Sequence, residues 1–252
     1  IPVTNTPDVL TEATADLTWA LLLAAARHIP AGDRLVRAGE FRIWNPVLLL
    51  GDDVGTGGSG RRKKLGVVGY GRIGRAVARR AQGFDMDVLA FNPGSRDEIE
   101  AAEGVSWAEF NELVRESDFL TLHAPLTEAT HHMIGEAQLR SMKESAYLIN
   151  VARGPMVDEA ALVRALREGW IRGAALDVYE HEPELADGLA ELPTVVLAPH
   201  IGSATFDTRS EMAAIAARNT LAHLRGERAP QVVNPEVYDH PAYRPRVADR
   251  SR

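Results

Sequence analysis

The chain has no cysteine, no excess of positive charge and no long apolar run. The absence of cysteine from all 252 residues excludes disulfides, thiolate nucleophiles and cysteine zinc sites. It suits a reducing cytoplasm, the location predicted here. The longest strongly apolar stretch, residues 17–26, stops at Arg27-His28, short of the roughly 20 residues that a spanning helix needs. Asp8, Glu12 and Asp16 precede it, where a signal peptide carries basic residues. Against 35 Asp+Glu there are 28 Lys+Arg, a net charge of −7. That balance speaks against nucleic acid or an anionic membrane as partner. The rest is ordinary for a globular protein, 45% hydrophobic and 25% charged. The length suits one large domain or two modest ones.

Thr6-Pro7-Asp8 reads as a helix start: a capping hydroxyl, a proline at the first helical position and an acid at the positive dipole end. An Ala/Leu-rich helix should run from there to about His28. It is apolar almost all round, which predicts burial against another helix or subunit. Residues 30–50 suggest a second short helix and a turn. Residues 51–64 are Gly-rich and then basic, a flexible surface loop or, alternatively, a patch for phosphate. Strands are expected at 65–69, 87–91, 119–123, 146–151, 173–177 and 195–198, and helices at 73–82, 108–116, 135–141, 159–168 and 208–224. Apolar strands alternating with helices define an α/β fold, a doubly wound parallel sheet of the Rossmann type. The polar tail from Pro235 reads as loosely ordered. A dinucleotide-binding domain over 7–205 and a C-terminal return helix and tail over 206–252 are the expected division.

Gly69-Tyr70-Gly71-Arg72-Ile73-Gly74 matches G-x-G-x-x-G, ending an apolar run and opening a helix. Gly69 permits the tight turn, Gly71 the approach of a pyrophosphate, and Gly74 close packing of helix on strand. The pyrophosphate would sit at the helix N-terminus. At the end of the next strand, a carboxylate commonly binds the ribose 2′-OH. Here Asn92 stands there, followed by Ser95 and Arg96. Loss of the carboxylate removes repulsion of a 2′-phosphate, which Arg96 and Ser95 can bind. NADP(H) is therefore predicted over NAD(H).

Ligands of open parallel sheets bind beyond the carboxyl ends of the strands. The apolar runs deliver His123, Arg153, Asp177 followed by Glu182, and His200 to that edge. These groups suit carbonyl reduction. An Arg holds a carboxylate or polarised carbonyl, a His donates the proton, and a Glu fixes the tautomer of that His. Other polar residues read as structural. His131-His132 suggest a wet helix cap rather than a metal pair, Asp158-Glu159 the acidic first turn of a helix, and Trp107 and Trp170 packing. No metal site is expected.

The chain resembles the D-isomer-specific 2-hydroxyacid dehydrogenase family. The resemblance rests on residues 67–74, then His123-Ala124-Pro125-Leu126-Thr127 with Thr130, and Asn150-Val151-Ala152-Arg153-Gly154 with Val157-Asp158. It continues in Ala175-Leu176-Asp177-Val178 with Glu182-Pro183, and in Pro199-His200-Ile201-Gly202-Ser203-Ala204-Thr205. These segments lie in the family's order and the likeness extends from about Val3 to Glu236. It implies Arg153 as the substrate-binding Arg, His200 as acid/base and Glu182, marked by its Glu-Pro pair, as its partner. It further implies Asp177 at the nicotinamide carboxamide and Arg72 and Ile73 at the pyrophosphate. His123, Pro125, Thr130 and Val151 would line the cofactor cleft.

Trp44-Asn45-Pro46 with 48–51, and 203–205 with Thr208, Arg209 and Met212, resemble the glyoxylate/hydroxypyruvate reductases. The implied substrate is a small 2-oxoacid and the implied assembly a homodimer, with the helix over 7–28 as a dimer contact. Alternatives are a phosphoglycerate or other D-2-hydroxyacid dehydrogenase, a corepressor-like binding protein, or a fragment that binds cofactor without turnover. Family members carry roughly another hundred residues before this point. The start at Ile1 rather than Met therefore predicts a chain lacking most of a substrate domain. Residues 54–64 form a longer loop than the family usually has.

Overall fold

The structure, a computed structural model, describes residues 1–58, 60–241, 243 and 244. The chain forms two compact units, residues 14–202 and residues 1–13 with 203–252. In the larger unit, seven strands form one sheet: β1 (Lys64–Val68), β2 (Asp87–Phe91), β3 (Val105–Trp107), β4 (Phe119–Leu122), β5 (Tyr147–Asn150), β6 (Gly173–Leu176) and β7 (Val195–Leu197). Their order is β3-β2-β1-β4-β5-β6-β7, and every pairing is parallel. The order reverses between β1 and β4, the switch point where such sheets bind ligands. Register carries a row straight across the sheet, from Phe91 through Val68, Leu122, Asn150 and Leu176 to Leu197. Residues that follow these positions therefore emerge along one edge.

Side chains alternate between two apolar clusters. Leu65, Val67, Phe119, Tyr147, Ile149 and Ala175 belong to one, with Trp19 and Leu22 of α1 (Thr11–Ala26) and Val77 of α3 (Arg72–Ala81). Val68, Leu120, Leu122, Leu148, Ala174 and Leu176 belong to the other. There they meet α5 (Phe110–Glu116), α6 (Glu136–Ser141) and α7 (Glu159–Arg167). Strands covered on both faces need the near-continuous apolar runs seen in the sequence.

Several expectations change. The first helix begins at Thr11, because Asp8 adopts a left-handed φ of 69° and its carbonyl receives the Thr11 N–H in a turn. Its apolar face packs inside the chain, with Trp19 stacked on Phe84 at 4.4 Å and its indole N–H donated to the Val77 carbonyl. Asp16 and Ala20 remain exposed and Leu17, Leu23 and Ala24 half-buried on its other face. Exposed apolar residues lie beyond it, in and after α2 (Ile29–Arg37). The strand β3 and the helix α4 (Arg96–Glu100) were not expected.

The Gly-rich segment is fastened at many points. A Cβ at Gly51 or Gly55 would overlap the carbonyls of Ala26 and Phe84, so these two glycines serve close backbone approach. Asp52 accepts the Tyr147 hydroxyl at 2.8 Å. Arg61 pairs with the buried Asp118, Arg62 with Asp87 and Lys64 with Glu116. These basic side chains are committed to acids of the fold, which leaves little for a phosphate patch.

The smaller unit holds α8 (Phe206–Leu224), capped by Thr205, whose hydroxyl accepts the Thr208 N–H. The tail is more ordered than expected as far as it is described. Residues Pro235–Asp239 form a 3-10 turn, and the Tyr238 hydroxyl accepts the Ala229 N–H. Residues 245–252 lie outside the described residues. Among the described residues, no helix is long and apolar enough to cross a membrane.

Candidate active site

Beyond β1 the chain turns at Gly69, whose φ of 92° and proximity to the backbone of His123 and Ala124 exclude a side chain. At Gly74 a Cβ would strike the Gly69 carbonyl, so the start of α3 lies tight on the turn. Gly71 faces open space and is the N-cap of α3, which no side chain caps. The backbone N–H groups of a helix start without a side-chain cap, with room at Gly71, fit a pyrophosphate. Beside this cradle a cavity of about 440 Å³ is lined by Gly69, Phe91, Pro93, Phe110, Thr130 and Met133 among others, an apolar wall suited to a nucleobase. The cradle thus fits a dinucleotide. Arg72 and Ile73 are the first residues of α3 at its mouth.

At the end of β2, Asn92 donates its side-chain amide N–H to the Ser95 hydroxyl at 2.8 Å. Arg96 opens α4, bonds Glu100 at 2.8 Å and lies 4.4 Å over the Trp107 ring. Trp107 is thus a platform for Arg96 as well as a packing residue. After β4, the Thr130 hydroxyl donates to the Pro125 carbonyl and accepts the Thr127 N–H, closing the loop 125–130 beside the cradle. His123 bonds Thr121 through Nε2 at 2.9 Å, and its buried Nδ1 has no protein partner. Burial lowers this imidazole to about 3, so it is neutral at physiological pH.

After β5, the buried Asn150 side chain accepts the Ala152 N–H and donates to the Arg153 carbonyl. This shapes the turn that presents Arg153, itself exposed; Val151 is buried within it. After β7, His200 adopts a left-handed φ of 54°. Asp177, 1% exposed at the end of β6, holds that conformation by accepting the N–H groups of Ile201 and Gly202, both at 2.8 Å. Both of its oxygens are thus engaged behind His200. The His200 Nδ1 meets the Glu182 Oε2 at 2.9 Å, and the Glu182 Oε1 accepts the Tyr179 N–H. Burial alone would raise the Glu182 carboxyl. The bonds from His200 and Tyr179, with the charges of His200 and Arg153, outweigh it and hold the group below its ordinary value.

Arg153, Glu182 and His200 are therefore brought together, as are Gly69, Gly71 and Gly74. Asn92, Ser95 and Arg96 gather at the far end of the same edge. His132 is no helix cap: it sits in a turn and bonds Glu180 at 2.6 Å. Asp158 does cap α7, but Glu159 is buried rather than solvated. Asn150 and Tyr179 were given no role by sequence reasoning. A buried Asn at a strand's carboxyl end follows the rule that found Arg153, whereas the backbone donor of Tyr179 has no sequence signal. Among the described residues, no three His, Cys, Asp or Glu side chains converge as a metal site.

A doubly wound sheet with a glycine cradle and a hydrogen-bonded His–Glu pair on one edge fits a nicotinamide-dependent oxidoreductase architecture. The model for the D-isomer specific 2-hydroxyacid dehydrogenase NAD binding domain matches residues 19–202, and the chain belongs to that family. It is 53% identical over 239 residues to the glyoxylate reductase of Korarchaeum cryptofilum, covering 94% of this chain and 70% of that one. To the glyoxylate reductase of Pyrococcus horikoshii it is 51% identical over 241 residues, with the same coverage. The NADPH-dependent glyoxylate/hydroxypyruvate reductase of Sinorhizobium meliloti, solved with NADP and malonate, superposes with a TM-score of 0.82 at 35% identity. That match covers 92% of this chain and 70% of the other.

Proposed function

We propose that the chain carries the catalytic groups of an NADPH-dependent reductase of small 2-oxoacids, glyoxylate or hydroxypyruvate. The observation that carries this reading is the His200–Glu182 bond of 2.9 Å on the edge that holds the glycine cradle. Gly69, Gly71, Arg72, Ile73 and Gly74 would hold the pyrophosphate of the cofactor, which supplies the hydride when bound. Arg153 binds the substrate carboxylate or its polarised carbonyl through the planar guanidinium fork. His200 gives a proton to the carbonyl oxygen as negative charge develops there. Glu182 stabilises the imidazolium and orients the ring. The product is the 2-hydroxy acid, of D configuration where it is chiral.

Asn92, Ser95 and the stacked Arg96 favour the 2′-phosphate of NADPH over the bare ribose of NADH. The reductase of S. meliloti, described as NADPH-dependent, supports that choice. The exposed apolar segment after α1 supports a homodimer. One observation favours a second reading, cofactor binding without turnover: the His200 and Glu182 side chains are 53% and 37% exposed, and proton transfer works best in a site closed to water.

Steady-state assay with glyoxylate and hydroxypyruvate, each with NADPH and NADH, separates these readings. The expected result is turnover with a lower KM for NADPH, abolished by His200→Ala while NADPH affinity stays within about twofold of wild type. Cofactor binding without turnover would select the second reading. A collapse of NADPH affinity in His200→Ala would overturn the role given to His200.

A further inference from the structure

Glu182 lies on a loop, residues 179–186, that no regular element supports. A single carboxylate ties that loop at two points. Glu159, the first residue of α7, is 3% exposed. Its Oε1 accepts the Glu180 N–H at 2.8 Å and its Oε2 the Ala186 N–H at 3.2 Å. Glu182 sits between the two tied residues. The tie is reciprocal, since the Glu180 Oε2 accepts the Glu159 N–H at 3.2 Å, one of the donors that a helix start leaves unsatisfied. The other Glu180 oxygen meets His132.

The loop also touches the other two members of the site. A Cβ at Gly154, the residue after Arg153, would overlap the Tyr179 carbonyl, so backbone lies directly on backbone there. The Tyr179 hydroxyl donates to the Ala198 carbonyl at 2.8 Å, two residues before His200. An acid in the first turn of a helix gains from the dipole while exposed to water. Burying it is costly unless hydrogen bonds satisfy it. Burial does raise the Glu159 carboxyl, and the two loop N–H groups pull it only part of the way back. Helix capping does not require this burial; fastening the loop does.

The geometry points to Glu159 as a positioning residue: by tying both ends of the segment 180–186 it holds the Glu182 carboxylate against the Nδ1 of His200. It thereby sets which imidazole nitrogen faces the substrate. This inference rests on the reading of His200 and Glu182 as the acid/base pair. Glu159 touches no reacting group and acts only through the loop.

The test reads the ring tautomer of His200 by long-range ¹H–¹⁵N correlation at alkaline pH in the full chain. It uses wild type, Glu159→Gln, Glu182→Ala and Glu180→Ala. Wild-type His200 should be held as the Nδ1–H form by Glu182, and Glu182→Ala should release it to the Nε2–H form that free imidazole prefers. Glu159→Gln is isosteric but turns one acceptor into a donor facing an N–H. It should move His200 at least halfway to the Glu182→Ala spectrum. In turnover it should lower kcat about tenfold, with the NADPH dissociation constant within about twofold of wild type. Glu180→Ala removes the return arm and the His132 contact but leaves both Glu159 ties to the loop backbone, and should shift the tautomer in the same direction by less. A wild-type tautomer in both Glu159→Gln and Glu180→Ala, whatever their melting temperatures, would overturn the proposal. If Glu159→Gln does not fold, the spectrum of Glu180→Ala decides alone. An unchanged spectrum in Glu182→Ala would instead overturn the reading of the acid/base pair, and this inference with it.

Discussion

Asn92 bears the weight of the cofactor choice proposed above. Its amide is spent on Ser95, and the neighbouring Arg96 is steadied by Trp107 and Glu100. A carboxylate at this position repels a 2′-phosphate and accepts ribose hydroxyls. Asn92→Asp should therefore raise the KM for NADPH about tenfold, worth roughly 1.4 kcal/mol, and lower that for NADH. Kinetics with both cofactors check this, and an unchanged ratio would remove Asn92 from the argument. His123 yields a pH effect. Its ordinary value of 6.5 falls to about 3 on burial, so between these pH values the unfolded chain binds a proton that the folded chain refuses. Stability is whole above about pH 6.5 and declines as the pH falls toward 3, with a slope of up to about 1.4 kcal/mol per pH unit. His123→Asn should flatten that slope in urea titrations between pH 6.5 and 4; an equal slope would show that other groups carry it. At this scale the glycines, Arg153, Glu182 and His200 were legible because each follows an apolar run or a motif. Glu159 was not. Beside Asp158 it reads as dipole decoration, and only a loop twenty residues further on gives it a reason to be buried.

Elements were legible where length or an unbroken apolar run marked them, as Val195-Val196-Leu197 marks the three-residue β7. The five-residue runs of β1 and β2 and the ten-residue α3 stand out by periodicity. β3 has three residues and α4 five, too few to display a period, and β3 is recognisable only through its parallel pairing with β2. The Gly-rich segment misleads in another way. Composition suggests flexibility, yet two of its glycines are demanded by backbone contact, and its basic end is anchored on Asp118. That carboxylate is 1% exposed and meets Arg61 at 3.1 Å, Lys143 at 3.2 Å and the Lys64 N–H at 2.8 Å. Burial would raise it, but the Lys64 N–H, Arg61 and Lys143 together hold it below its ordinary value. Its contribution is therefore present above about pH 4 and is lost as the pH falls through the depressed folded value. Asp118→Asn should cost about 2 kcal/mol, lowering the melting temperature by roughly 4–8 °C at pH 7. It should also speed proteolysis within 51–63, since the loop loses its anchor. A melting temperature equal to wild type would mean that Asp52 and Tyr147 hold the loop unaided.

At the scale of the molecule, one segment is too apolar for its exposure. Ile29, Val36, Phe41, Ile43, Trp44, Val47 and Leu50 are each more than half exposed, Ile43 at 80% and Trp44 at 75%. Scattered exposed apolar residues are normal, but seven within one segment of the chain exceed what a monomer usually shows water. The segment is irregular after α2 and turns its side chains outward, whereas α1 just before it is spent on the internal core. A second copy of the chain offers the same surface, and a two-fold arrangement pairs each segment with a neighbouring subunit in a closed contact. The net charge of −7 works against association at low ionic strength, so apolar burial must supply the affinity. Sedimentation velocity at micromolar protein should therefore show a dimer, slightly strengthened by added salt. The double variant Ile43→Glu with Trp44→Glu should sediment as a monomer and retain wild-type NADPH affinity, because the glycine cradle lies on other residues. A wild-type monomer at concentrations of tens of micromolar would refute the dimer. A double variant that still dimerises would place the contact elsewhere and leave this exposed segment to another partner.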